Sequence, residues 1–205
     1  MSRDGHPQGA GAVGADTERV TQYSAVRENI PDELKRDAIW IPAPYERQEV
    51  PHWQAPDKWM HFQDVHSAFP ALVLPLKILC IEVGDVLHDG LTVNRPRLAI
   101  LQKILGAFGT TYVEIMENGR DVHAFYHVDA VPAARRVTIV HTRYRGMRLP
   151  LPFGGAYVGL GRVVVMTGFT RRPRPIARAR QGIFAALERI ETGGEIDLFA
   201  KEGKE

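Results

Sequence analysis

The stretch Thr111-Tyr112-Val113-Glu114-Ile115-Met116-Glu117-Asn118-Gly119-Arg120-Asp121-Val122-His123-Ala124-Phe125-Tyr126-His127-Val128 decides the fold class. Apolar side chains recur at every second residue on both sides of Glu117-Asn118-Gly119-Arg120. Alternation with aromatic and β-branched residues is the pattern of strands, and an Asn-Gly pair between two such runs is a hairpin turn. Strands are therefore expected over 111–116 and 121–128. In the second, Val122, Ala124, Tyr126 and Val128 share one face, and Asp121, His123, Phe125 and His127 share the other.

Working outward, alternating stretches at 136–145 and 162–170 extend this hairpin into an antiparallel meander of about four strands. If the connection 129–135 sets Val128 opposite Arg136, His123 lies opposite His141, Asp121 opposite Arg143, and Phe125 opposite Ile139. Opposed side chains on one face stand ~5 Å apart, so two imidazoles and a guanidinium would share a patch. His123, His141 and Arg143 are the candidate catalytic residues, with the histidines as acid and base and the arginine stabilising developing charge. A metal is not expected. His123 and His127 are about 13 Å apart along a strand, and no third ligand accompanies His123 and His141. No cofactor is expected either, because Val164 stands where a dinucleotide fingerprint over Gly159-Leu160-Gly161 needs its third small residue. Ser2, Ser24 and Ser67 are the only serines, and none sits in a nucleophile elbow.

Upstream, the apolar period is helical. Leu76, Leu79, Val83 and Leu87 recur at steps of three or four from Pro75 to Gly90, and Leu98, Leu101, Leu105 and Phe108 do so before Gly109. Downstream, Ile176, Ile183, Leu187 and Ile190 form a stripe over 175–191. The expected fold is α+β: a helical hairpin, the β-meander, and a C-terminal helix. An extended N-terminal arm precedes them. The expected divisions are a disordered 1–20, a Pro/Trp-rich arm over 21–70, an α+β domain over 71–194 and a charged tail over 195–205. Trp40, Trp53 and Trp59 all lie in the arm, among prolines that exclude regular helix, and are candidate docking residues for a homo- or hetero-oligomer. Docking of the arm on its own domain is the competing reading.

Charge is distributed unevenly. The 58 residues between Asp129 and Glu188 hold eleven arginines, no lysine and no acidic residue, although the whole chain of 205 residues has a net charge of only +2. Such asymmetry fits a basic binding face, or internal pairing with the acidic front half. Arg171, Arg172, Arg174 and Arg178 crowd the approach to the last helix, and Arg145 lies on the preceding sheet. These five are the candidate anion-binding residues, suited by their planar forks to phosphate or carboxylate. The single cysteine, Cys80, lies in an apolar run and reads as a buried thiol. The N-terminus lacks a signal-peptide pattern, and the apolar run at 69–83 falls short of the ~20 residues of a membrane span. A cytoplasmic protein without a membrane span is expected.

The order of helices, His- and Arg-bearing antiparallel strands and a basic linker into a terminal helix is similar, over residues 75–190, to that of RelE-like and HigB-like RNA-cleaving toxins. Gly168-Phe169-Thr170-Arg171-Arg172 resembles the phenylalanine-plus-basic stretch before the last helix of the HigB-like group. The resemblance implies RNase activity. The residues themselves favour binding of nucleic acid or an acidic protein surface. An assembly subunit of a larger particle and a small-ligand carrier are the remaining alternatives.

Overall fold

The hairpin forms as its alternation dictates. Its turn is closed by Gly119 N–H donating to the Met116 carbonyl at 2.9 Å and Arg120 N–H donating to Asn118 Oδ1 at 2.9 Å. Gly119 takes φ +68°, which favours glycine. The structure, a computed structural model, describes residues 24–43, 59–88, 92–129, 137–138, 145–159 and 163–191; Asp37, Ala43, 137–138, 145–149 and Glu191 are described by backbone alone. In chain order the elements are α1 (Asp32–Asp37), β1 (Ile39–Ala43), β2 (Phe69–Val73), β3 (Ile78–Val83), β4 (Leu87–His88), β5 (Thr92–Val93), α2 (Arg95–Phe108), β6 (Val113–Ile115), β7 (Val122–His127), β8 (Val137–Thr138), β9 (Arg145–Leu151), β10 (Gly154–Val158), β11 (Val163–Val165), β12 (Ala177–Arg178) and α3 (Ile183–Glu191).

The elements stack in three layers. The middle layer is a seven-stranded sheet in the order β12-β7-β3-β10-β9-β8, with β6 also pairing β7. On one face, Leu79, Ile81, Ala124 and Tyr126 bury against Leu101, Ile104 and Phe108 of α2 and Ile183, Leu187 and Ile190 of α3. On the other, Cys80, Phe125 and Tyr157 bury against Trp40, Leu72 and Val164 of a three-stranded sheet, β1-β2-β11. The chain is thus α+β with mostly antiparallel sheets. Only the short β12 pairing with β7 is parallel among the described strand pairs that involve β7. Among the described residues, no helix is long and apolar enough to cross a membrane.

The detailed arrangement corrects the sequence reading in three places. The first helix of the expected hairpin does not form: Ile78–Val83 is strand β3, at the centre of the large sheet. Every residue of β3 except Glu82 is buried, because both faces of the sheet are covered; a strand buried on both faces loses the period of two that would reveal it. The second helix, α2, does form, capped by Asn94 Oδ1 accepting from Arg97 N–H at 3.4 Å. The last helix begins at Ile183, later than expected, since Ala177 and Arg178 are drawn onto the edge of β7. The arm is not extended throughout either. It contributes the helix α1 and the strand β1, which pairs with β2 so that Trp40 stands opposite Leu72.

Candidate nucleic-acid interface and a buried histidine centre

Between β11 and α3 the chain crosses the molecule as a basic strap fixed at both ends. At its start, Gly168 takes φ +67° where a Cβ would lie 2.0 Å from the Val26 carbonyl oxygen, so only glycine fits the close approach. Ile115 N–H then donates to the Phe169 carbonyl at 2.8 Å. At the far end, Ile176 N–H donates to Glu33 Oε1 at 2.8 Å and Ala177 N–H to Thr111 Oγ1 at 2.8 Å. Glu33 Oε2 also lies 2.6 Å from His127 Nε2, so this one carboxylate ties α1, β7 and the strap together.

Arg171, Arg172 and Arg174 project from the strap between these anchors. All three are exposed, and none makes an ion pair among the described residues. Arg178 is exposed as well but pairs with Asp129, and Arg180 Nη1 donates to the Gly106 carbonyl at 3.3 Å. An open groove of about 460 Å³ runs beside Arg174, lined by Asp32, Glu33 and Arg36 of α1 and by Glu28 just before that helix. Asp32 is itself paired with Lys35 at 3.0 Å, and that contact lowers its carboxyl pKa. α3 starts nine residues after Arg174, so the helix N-terminus does not lie next to these arginines along the chain.

His123 occupies a different position from the one expected. β7 has β3 on one side and β6 and β12 on the other, so both of its edges are taken and it cannot pair with 136–145. Directly across from His123 stand Glu82 on β3 and Glu114 on β6. The imidazole is 2% exposed, with Nε2 3.9 Å from Glu82 Oε2 and Nδ1 3.9 Å from Glu114 Oε1. Burial alone would depress its pKa, but the two carboxylates, Glu114 foremost, outweigh it and hold the value above 6.5.

Glu114 is anchored from behind. Its Oε2 accepts from the Tyr112 hydroxyl at 2.8 Å, Gly168 N–H at 2.9 Å and Thr167 N–H at 3.2 Å. Burial and the neighbouring carboxylate push the Tyr112 hydroxyl pKa far up, which keeps it a donor. Among the described residues Glu114 Oε1 and His123 Nδ1 have no hydrogen-bond partner, and they face each other at 3.9 Å. The centre is therefore an electrostatic clamp across three strands. The two ring nitrogens address different carboxylates, and among the described residues no group of three or more His, Cys, Asp or Glu side chains is placed to hold a metal.

Of the expected catalytic set, only His123 is placed; His141 and Arg143 lie outside the described residues. Of the docking set, Trp53 lies outside them too. Trp40 is completely buried, with its indole N–H donating to the Leu34 carbonyl at 3.1 Å, so it offers no surface to a partner. Trp59 is partly buried against Ile41, Ala71 and Val73 on the outer face of the three-stranded sheet. Arg145 is described by its backbone alone, at the start of β9. Sequence reasoning missed Glu33, Glu82, Glu114 and Tyr112. The available signal for Glu82 and Glu114 was a lone carboxylate inside an otherwise apolar strand, a position that requires a buried partner.

Compared with known proteins, the chain matches no protein-family model and no curated protein.

Proposed function

We propose that this chain binds a phosphate-bearing polymer, nucleic acid, through the strap that carries Arg171, Arg172 and Arg174. The observation behind this reading is the combination of three exposed guanidinium groups that make no ion pair among the described residues with anchors at Phe169 and Ile176. Guanidinium forks exposed to solvent can displace counterions from phosphates, and a strap already fixed at both ends loses little further freedom on binding. Contacts of this kind read the backbone and not the bases, so binding is sequence-independent. The burial of His123 favours a binder over a nuclease, since an acid or base must come within about 2.6–3.2 Å of the proton it moves.

The test is a salt series with a short RNA and a short DNA, for the natural chain and for the triple variant Arg171→Gln, Arg172→Gln, Arg174→Gln. The natural chain binds more weakly as salt rises, and the triple variant flattens that dependence by about two to three units of log–log slope. A salt-independent affinity, or a triple variant that binds as the natural chain does, overturns the proposal.

A further inference from the structure

The groove beside the strap deepens this reading, on which the following rests for the role of Arg174. One wall is α1 with the segment that leads into it, and the other is Pro173-Arg174-Pro175 of the strap. Lys35 Nζ donates to the Glu28 carbonyl at 3.4 Å, which folds the lead-in back beside the last turn of the helix. Arg36 follows Glu33 by three positions on α1, so their Cβ atoms stand about 5–6 Å apart. Arg174 lies two residues before Ile176, whose N–H donates to Glu33 Oε1 at 2.8 Å, and two residues span at most about 7 Å of chain. Two guanidinium groups from different elements therefore line one groove near the same carboxylate.

The charges of the groove decide what fits it. Three carboxylates line it, but two are engaged: Asp32 pairs with Lys35 at 3.0 Å, and Glu33 holds His127 Nε2 at 2.6 Å together with the Ile176 N–H. Glu28, Arg36 and Arg174 are exposed and make no ion pair among the described residues, with one another included. An occupant that answers all three offers an anion to two guanidinium groups and a hydrogen-bond donor to a carboxylate. A phosphate accepts from two guanidinium forks at once, and a ribose hydroxyl is the donor that an acidic side chain accepts in nucleotide sites. Inorganic phosphate leaves Glu28 unanswered. The volume, about 460 Å³, falls within the ~300–1,000 Å³ of small-ligand sites. We propose that the groove seats a ribonucleoside monophosphate, with its phosphate between Arg36 and Arg174 and a ribose hydroxyl donating to Glu28. That unit is either a free nucleotide or the terminal unit of an RNA strand lying along the strap.

The experiment titrates the whole chain calorimetrically with AMP, adenosine and 2′-deoxy-AMP, and with one short RNA carrying or lacking terminal phosphates. AMP is expected to bind roughly tenfold or more tighter than adenosine, and roughly tenfold tighter than 2′-deoxy-AMP, since each comparison removes hydrogen bonds to charged groups. Arg36→Gln should weaken AMP about tenfold and leave adenosine unchanged, and Glu28→Ala should bring AMP and 2′-deoxy-AMP to the same affinity. Arg171→Gln, outside the groove, should change none of these while weakening the RNA. Terminal phosphates that tighten the RNA in the natural chain but not in Arg36→Gln assign the seat to strand ends. Tight AMP with no effect of the terminal phosphates assigns it to a free nucleotide. Equal affinity for AMP and adenosine, equal affinity for AMP and 2′-deoxy-AMP, or an Arg36→Gln chain that binds AMP as the natural chain does overturns the inference; salt-dependent RNA binding that still needs Arg171 then leaves the strap reading standing. A chain that binds neither RNA nor AMP at low salt removes both.

Discussion

Replacing Glu114 with alanine tests whether the buried centre holds the sheets together. The carboxylate oxygen Oε2 accepts from Tyr112, Gly168 and Thr167 at 2.8, 2.9 and 3.2 Å, and Tyr112 and Thr167 are completely buried. Each donor left without a partner in a dry interior costs about 1–3 kcal/mol, so three amount to about 3–9 kcal/mol. The variant also leaves His123 facing Glu82 alone, and removing one member of a buried charged pair costs about 3–5 kcal/mol by itself. These terms overlap, and a water entering the vacated space would re-satisfy some of the donors. A loss of about 3–5 kcal/mol is the expected outcome, a large share of the ~5–15 kcal/mol that stabilises a typical domain. Urea unfolding followed by tryptophan fluorescence measures it, and Glu114→Gln is the control. The amide keeps an oxygen for the three donors but removes the charge that faces Nδ1, so it should lose less than the alanine. If Glu114→Ala loses less than about 1 kcal/mol, the hydrogen-bond accounting fails and the centre is not a clamp.

Three further outcomes follow from the same geometry. Because the folded-state pKa of His123 is raised above 6.5, its contribution to stability is complete below about pH 6.5 and is lost as pH rises through the folded value; urea midpoints measured stepwise above pH 6.5 should fall, and His123→Gln should remove that part of the slope. Gly168→Ala forces a Cβ to within 2.0 Å of the Val26 carbonyl oxygen at φ +67°, so thermal unfolding should show a loss of about 2–4 kcal/mol, with no loss refuting the close approach. The triple arginine variant touches no ion pair among the described residues, so its unfolding midpoint should stay within about 0.5 kcal/mol of the natural chain, and a larger loss would mean that the arginines serve the fold.

What the sequence made legible was local. The 111–128 hairpin and α2 announce themselves because the turn at Asn118-Gly119 and the stripe of Leu98, Leu101, Leu105 and Phe108 ending at Gly109 each act within a few residues. β3 was hidden for the opposite reason: Leu76, Leu79, Val83 and Leu87 mimic a helical stripe, while the stretch is a central strand whose neighbours β7 and β10 lie far along the chain. The same non-locality hid the histidine centre. Nothing near His123 in sequence indicates Glu82, and choosing between Glu114 and His141 as its opposite number requires knowing which strands occupy the two edges of β7. Pro175 reads as the first residue of a helix, yet the Glu33 carboxylate takes the next backbone N–H and holds the chain extended. The arginine strap was visible as composition; its exposure and its anchors were not.

The Glu33 contact also bears on the order in which the molecule can assemble. The carboxylate and the Ile176 N–H it accepts from are 143 positions apart, and its other partner, His127, is 94 positions away. Closing so long a loop carries an entropic cost, which falls once the layers that bring α1, β7 and the strap together are already in place. Loss of the Glu33 carboxylate would therefore free the strap's far end from α1 and β7 at once. One side chain of the N-terminal segment thus sets the path of a stretch of chain that begins more than 130 residues later.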